Sequence, residues 1–215
     1  MNEINERLRK AAGSSNAFEL KELLRDPRCD ASSKDKHGWT ALMNAAFFGR
    51  KAHVRLLLPV SDALAADKEG LTALMLASRY GHVACVSLLL PTSSALAKNK
   101  NGTTALMLAS SSGHEACVRL LLPVSDVLSK GKRDVSALMC AASFGNEGCV
   151  GLLLPVSEVL ATSNNGMTAS AWAKSRGYES VGQFIDAYAL AQIERTSIGA
   201  AVYAGASSRS SAIRV

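Results

Sequence analysis

The sequence Leu56-Leu57-Leu58-Pro59 decides the fold, because it is the first copy of a run that recurs along the chain. Three further copies begin at Leu88, Leu120 and Leu152, so that each copy follows the previous one by 32 residues. Tandem arrays of small units have this kind of fixed step, and each of their units packs mainly against its neighbours. We therefore expect a core that is built by stacking units rather than by closing one globule.

A second motif keeps the same step and lies ahead of each leucine run. It reads Gly-x-Thr-Ala-Leu-Met at residues 38–43, 70–75 and 102–107, becomes Asp-Val-Ser-Ala-Leu-Met at 134–139, and weakens at 166–170. The glycine suits the positive φ angle of a tight turn, and the threonine hydroxyl suits a helix N-cap. Each unit thus predicts a turn, a short helix such as 73–78, a break at Gly81-His82, and a second helix such as 83–90 that Pro91 ends.

The two ends of the array depart from the repeat. Residues 1–34 predict two short amphipathic helices that cap the stack, and residues 35–162 hold four full units. A degenerate unit at 163–188 predicts a C-terminal cap, with Trp172, Phe184 and Ile185 closing the core. From 189 to 215 the sequence turns to Ala, Gly and Ser, which predicts a helical extension that frays into a disordered tail.

Composition and motifs exclude several classes of protein. The sequence has no run of about 18 apolar residues and no signal-peptide core, so we expect a soluble cytoplasmic protein that does not enter a membrane. Cys85, Cys117 and Cys149 share one slot of the repeat, which His53 fills in the first unit, and this predicts buried, reduced thiols. Nucleophile, P-loop and zinc-protease motifs are missing from the sequence, so we expect no catalysis, no cofactor and no metal.

Together, the turn, the Thr-Ala-Leu-Met helix start, the Gly-His break and the Val-x-Leu-Leu-Leu helix resemble the ankyrin repeat over residues 1–188. The resemblance implies an all-α ankyrin-repeat solenoid of stacked antiparallel helix pairs, with turn tips that project like fingers. The family's Thr-Pro-Leu-His reads Thr-Ala-Leu-Met here, so methionine replaces a histidine that links neighbouring units, and we expect apolar packing to replace that link. This style is similar to that of ankyrin-only proteins of parasitic protists.

The resemblance also implies a binding surface, because ankyrin arrays bind partners through the turn tips and the concave face of the first helices. The matching positions here are Lys36, Trp39, Phe47, Phe48, Lys68, Leu71, Arg79, Tyr80, Lys100, Lys132, Arg133 and Phe144. Because only 5% of the residues are aromatic, we predict that Trp39, Phe47, Phe48 and Tyr80 form one patch beside the finger lysines. In the alternative interpretation, Phe47 and Phe48 pack under the capping unit.

Three functions fit these features. The first is a monomeric scaffold or adaptor that binds an apolar and acidic segment of a protein partner. The second is binding of nucleic acid or another anionic polymer through the finger lysines, which the net charge of +6 permits and a steep salt dependence would reveal. Asp35, Asp67, Glu69 and Asp134 interrupt the basic residues and disfavour it. The third is a structural spacer that has no selected binding surface.

Overall fold

A computed structural model of the chain describes residues 3–211 and gives side chains up to residue 195. The regular structure in these residues is helical, apart from one isolated antiparallel bridge between Ala66 and Thr72. This confirms the all-α solenoid expected from the sequence.

The helices follow one another in pairs. The N-terminal pair is α1 (Glu3–Gly13) and α2 (Ala17–Arg25). The later pairs are α3 (Ala41–Phe47) with α4 (Lys51–Leu57), α5 (Ala73–Arg79) with α6 (Val83–Leu89), α7 (Ala105–Ser111) with α8 (Glu115–Leu121), α9 (Ala137–Ser143) with α10 (Glu147–Leu153), and α11 (Ala169–Ser175) with α12 (Glu179–Ser211). Short 3-10 helices lie at Leu58–Val60, Leu122–Val124, Lys132–Asp134 and Leu154–Val156.

Local sequence sets where the short helices begin and end. The hydroxyl of Thr72 accepts a hydrogen bond from the Met75 N–H at 3.3 Å, which confirms the predicted N-cap, and the first helix of every other full unit is capped in the same way. The second helix α6 ends at Leu89, two residues before Pro91. In the other full units the proline lies at the start of a 3-10 turn. Proline has no N–H group, but this costs nothing there, because the first N–H groups of a helix have no partner within the helix.

Packing between units holds the array together. Each first helix lies against the first helix of the next unit, and each second helix lies against the next second helix. The inward positions are filled by buried leucines such as Leu74 and Leu106, and by the methionine column Met43, Met75, Met107 and Met139. Helices of seven residues are not stable alone in water, so these contacts between units supply the stability of the helices.

The C-terminal end differs from the expectation in one respect. The second helix of the last unit and the helical extension expected after residue 188 form one helix, α12, which continues to Ser211, and residues 212–215 of the expected tail lie outside the described residues. Ile185 is buried in the core and Trp172 is partly buried, but Phe184 is 41% exposed and does not close the core. Val181, Ile185 and Ala189 form the inner face of α12 at four-residue spacing, and Phe184 lies about 100° away from that face.

Candidate protein-binding surface

Side-chain hydrogen bonds shape the first three fingers. The Oδ1 atom of Asp35 accepts hydrogen bonds from the N–H groups of His37 and Trp39, both at 2.8 Å. Asp67 and Asn99 make the same pair of bonds in the next two units. These bonds fix the turn, with glycine at positive φ behind the tip, and leave the lysine of each tip exposed.

Backbone hydrogen bonds join neighbouring fingers into a ladder. The N–H groups of Lys68, Lys100 and Lys132 donate to carbonyl oxygens of the preceding finger, at 3.0, 2.9 and 2.7 Å. Four exposed lysines therefore stand on successive tips, Lys36 being the first. Lys100 lies 3.9 Å from the carboxylate of Glu69, so acidic side chains dilute the positive charge of this row.

The fourth finger is built differently. Gly131 stands where the other fingers have Asp or Asn, and Asp134 stands where they have glycine. Arg133 and Asp134 consequently have φ angles of 65° and 57°, a region that residues with a side chain rarely adopt. The exposed Lys132 and Arg133 are held on a strained turn at this end of the ladder.

The four aromatic residues singled out from the sequence do meet. The ring of Phe47 lies edge-on to those of Trp39, Phe48 and Tyr80, with centroids 5.5, 4.8 and 4.5 Å away. We call this group the aromatic patch. Phe47 and Trp39 are partly buried against the core, whereas Phe48 is 50% exposed and Tyr80 is 42% exposed. The patch therefore has a fixed inner half and an outer half that a partner can cover.

Phe48 leans on the capping helix without being buried by it. A side-chain carbon added at Gly13 in α1 would lie 2.8 Å from the Phe48 ring, so the missing side chain makes room for that ring. Beside them is an open groove of about 710 Å³, lined by Glu6, Arg9, Lys10, Gly13, Ser14, Asp35, Lys36, Asn44 and Phe48. In the alternative interpretation Phe47 and Phe48 pack under the capping unit; Phe47 is partly buried against the core, whereas Phe48 lies beside the cap with half of its surface exposed.

Other predicted site residues are spread along the stack. Arg79 lies over the Tyr80 ring, with its guanidinium carbon 5.9 Å from the ring centroid. Leu71 is partly buried and packs against the core. Phe144 is 56% exposed in the slot that Phe48 and Tyr80 occupy in earlier units, but among the residues described no ring contact joins it to the aromatic patch.

The polar links between units were not foreseen from the sequence. One slot, at the start of each second helix, holds Arg50, His82, His114 and Asn146, and each side chain hydrogen-bonds a carbonyl oxygen at or near the end of the first helix of the preceding unit. His82 Nε2–H donates to the Phe47 carbonyl at 2.9 Å, which ties the aromatic patch to the next unit. Apolar packing does occupy the slot of the family's histidine, where the methionine column is buried, and the polar links lie in a different slot of the repeat. The 32-residue recurrence of this slot marks it as a structural position but does not identify its acceptors, which lie 35 to 37 residues earlier.

The thiols are built for packing. Cys85, Cys117 and Cys149 are buried, as the repeat register predicted, and all five cysteines are free. Burial raises the pKa of Cys117 and of Cys149 to about 11, so both remain neutral thiols at ordinary pH and are poor nucleophiles and metal ligands.

The described residues hold neither a metal-binding cluster nor a membrane-spanning helix. Within residues 3–211, no cluster of three or more His, Cys, Asp or Glu side chains is placed to hold a metal ion. No helix in that same part of the chain combines the length and apolar character needed to cross a membrane.

A stack of turn–helix–helix units with a ladder of fingers defines a helical repeat solenoid. A family model described as ankyrin repeats (3 copies) matches residues 8–99, and a second match covers residues 60–130. The chain belongs to the ankyrin repeat family. Ankyrin repeats are generally protein–protein interaction modules and are typically not enzymes. No curated protein matches the chain, so the similarity to proteins of parasitic protists stays a prediction.

Proposed function

We propose that the chain is a non-catalytic scaffold or adaptor that binds a protein partner across the fingers and first helices of its N-terminal half. The observation that carries this proposal is the aromatic patch, in which two well-anchored rings support two half-exposed ones. Large rings of this kind, held by packing, lose little conformational freedom on binding and form typical interface hot spots.

The surroundings of the patch favour a partner segment that is both apolar and acidic. Lys36 is exposed on the finger beside Phe48, and Arg79 lies over Tyr80. Lys10 adds a third cationic side chain and lies at the rim of the groove, although Glu6 pairs with it at 2.7 Å. An apolar side chain in the groove with a carboxylate beside it would therefore satisfy both the rings and the basic rim.

We also propose a cytoplasmic location, since reduced thiols are typical of that compartment. The five free cysteines support it.

The proposal can be tested by affinity capture from a nuclease-treated lysate of the native cell. The chain is compared with a variant carrying Phe48→Ala and Tyr80→Ala, whose exposed rings can be removed without opening the core. We expect the variant to capture at least about ten times less partner protein than the unchanged chain, since each hot-spot truncation costs about 2 kcal/mol of binding free energy. Circular dichroism checks that both fold.

A matched control removes two exposed rings elsewhere, with Phe18→Ala and Phe184→Ala. It should retain the partner as the unchanged chain does. If the aromatic-patch variant and the control capture the same proteins in equal amounts, the aromatic patch is not the binding surface. If the unchanged chain retains no protein above a blank resin, the spacer function is favoured instead.

The lysine row favours a second candidate, the binding of nucleic acid or another anionic polymer. Four lysines on neighbouring fingers could follow a line of phosphates. In that case the capture would be abolished by nuclease, and the affinity for a mixed-sequence oligonucleotide would fall steeply with salt. Substituting Lys36, Lys68, Lys100 and Lys132 by Ala would then flatten the salt dependence, by about one unit of slope for each lysine that binds a phosphate.

A further inference from the structure

A row of exposed apolar side chains runs along the loops that follow the second helices. Each full unit contributes a leucine that is 50% to 63% exposed, and three units add a valine that is 49% to 53% exposed. We call this row the loop stripe; its members are Val60, Leu64, Leu96, Val124, Leu128, Val156 and Leu160. It lies on the loops after α4, α6, α8 and α10, whereas the aromatic patch lies on the fingers and first helices.

The turn in each loop forces its leucine outward. Leu64 is exposed although its neighbours Ala63 and Ala65 are both buried. The Asp62 carboxylate accepts the Leu64 N–H at 2.9 Å, and the Asp62 carbonyl accepts the Ala65 N–H at 3.2 Å. Asp126 makes the same two bonds with Leu128 and Ser129, at 3.1 and 3.2 Å. The exposure of these leucines is therefore a property of the repeat.

Contacts between the loops hold the leucines in line. Lys34 Nζ donates to the carbonyl of Ala66 at 3.0 Å, and Lys98 Nζ donates to the carbonyl of Lys130 at 3.3 Å, each reaching the loop one unit further on. Since the helices beneath pack side by side, successive leucines are about 8–10 Å apart. Monomeric proteins rarely expose large apolar patches, so seven half-exposed apolar side chains that recur in one row favour a binding surface.

The chemistry of the loop stripe fits a second copy of the chain. Asp62, Asp126 and Glu158 each lie two residues before a leucine of the row, and Lys98 and Lys130 each lie two residues after one. The chain crosses the row at each loop, so the acidic and basic side chains flank the row on opposite sides. A second copy rotated by 180° about an axis along the row brings Asp126 of each copy over Lys130 of the other, since the third full unit carries both charges.

The same rotation places each leucine against its own counterpart, because a rotation about the row leaves every position along the row unchanged. The acidic flank also makes an anionic membrane surface a poor occupant. We propose that two copies of the chain associate through the loop stripe, burying Leu64, Leu96, Leu128 and Leu160 against the same residues of the partner copy. A single row of side chains buries less area than a standard interface, which covers about 800 Å² per partner. We therefore expect a dissociation constant on the order of micromolar.

Sedimentation velocity over protein concentrations from about 1 to 300 µM tests this directly. The unchanged chain should pass from monomer to dimer in that range. A variant carrying Leu96→Gln and Leu128→Gln, in the middle of the row, should remain monomeric throughout. These side chains are exposed, so the variant should keep the circular dichroism spectrum and melting temperature of the unchanged chain. A control with Phe18→Gln, which is 70% exposed on α2, should dimerise normally.

A single charge reversal tests the orientation. Lys130→Glu places an acid opposite the partner's acidic flank, and we expect it to weaken the dimer about threefold to tenfold at low salt and less at high salt. A monomer at every concentration of the unchanged chain would overturn the proposal. Equal dimerisation of the Leu96→Gln, Leu128→Gln variant would move the contact to another surface. An unchanged affinity of the Lys130→Glu variant would exclude the proposed orientation.

Discussion

At the scale of single residues, the cysteine slot shows what burial does to one position of the repeat. Cys85, Cys117 and Cys149 are buried at the same place in successive second helices, and His53 takes that place in the first full unit. The packing role of the slot was predictable from its step of 32 residues. The bond that His53 makes was not, because its Nδ1–H donates to the carbonyl of Ala12, 41 residues earlier, at 2.9 Å.

The buried thiols predict a loss of stability in alkali. The pKa of Cys117 and of Cys149 is about 11 in the folded chain, against 9.0 for an ordinary thiol, so the thiols of the unfolded chain ionise first as the pH rises. The free energy of unfolding should therefore be fully retained below pH 9 and fall between pH 9 and 11, by about 2 kcal/mol for each of Cys117 and Cys149. Urea unfolding at several pH values in this window measures the loss.

The double variant Cys117→Ala, Cys149→Ala separates this effect from other titrations. It should be less stable than the unchanged chain at pH 8, since it leaves small cavities, but its stability should fall less from pH 9 to 11. Cys29→Ala, at a partly exposed thiol, should keep nearly the slope of the unchanged chain. Equal slopes for the double variant and the unchanged chain would rule out Cys117 and Cys149 as the cause.

At the scale of elements, the fourth finger shows that backbone hydrogen bonds can hold a turn that its sequence disfavours. Gly131 N–H still donates to the Val135 carbonyl at 3.0 Å, and Asp134 N–H to the Gly131 carbonyl at 3.1 Å, as in the other fingers. The side-chain bonds of Asp35 and Asp67 have no counterpart at Gly131, and Asp134 occupies the glycine position at a φ of 57°. This finger therefore keeps the form of the repeat with less support.

Restoring the repeat should strengthen the fourth finger. Gly131→Asp supplies the carboxylate that accepts the turn N–H groups, and a side-chain carbon there would meet its neighbours at ordinary contact distances of 3.4 Å or more. Asp134→Gly removes the side chain from a positive φ angle. Together they should raise the free energy of unfolding by about 1–2 kcal/mol, measured by urea denaturation.

Each single variant, measured beside the pair, assigns the gain to the new turn bonds or to the relieved backbone. Gly102→Asp is the opposite change, because it puts a side chain at a φ of 70° in the third finger. It should lower the free energy of unfolding of the chain. A double variant that is no more stable than the unchanged chain would show that the fourth finger is not strained.

The sequence was sufficient to predict the local elements but not the contacts between units. Helices, caps and fingers follow from local residue types, so Thr72 and Gly70 were sufficient to place them. Contacts across units depend on three-dimensional packing, and for that reason neither the His82 link to Phe47 nor the outward turn of Leu64 could be foreseen. The aromatic patch lies between these cases, because the repeat register brought its slots together but could not fix how much of Phe48 stays exposed.

At the scale of the whole molecule, the capping unit and the aromatic patch are coupled. Phe48 rests on Gly13 at the end of α1, and Arg50 Nε–H donates to the Gly13 carbonyl at 3.1 Å. In a linear array each unit is stabilised mainly by its immediate neighbours, so a terminal unit can unfold while the remainder stays folded. Loss of the cap would therefore release Phe48 and open one wall of the groove beside it.

This coupling predicts that a core change remote from the binding surface weakens partner binding. Leu8 is fully buried in α1, and Leu8→Ala should cost about 3 kcal/mol, enough to let α1 and α2 open while α5 to α10 stay folded. Hydrogen exchange should become fast in α1 and α2 alone, and capture of the partner should fall although every aromatic residue is intact. Leu153→Ala, an equal truncation of a fully buried leucine in α10, serves as the control, because it should speed exchange near the C-terminal units and leave capture nearly unchanged. If both variants instead exchange uniformly along the chain, the array unfolds as one unit and the cap has no separate influence on the patch.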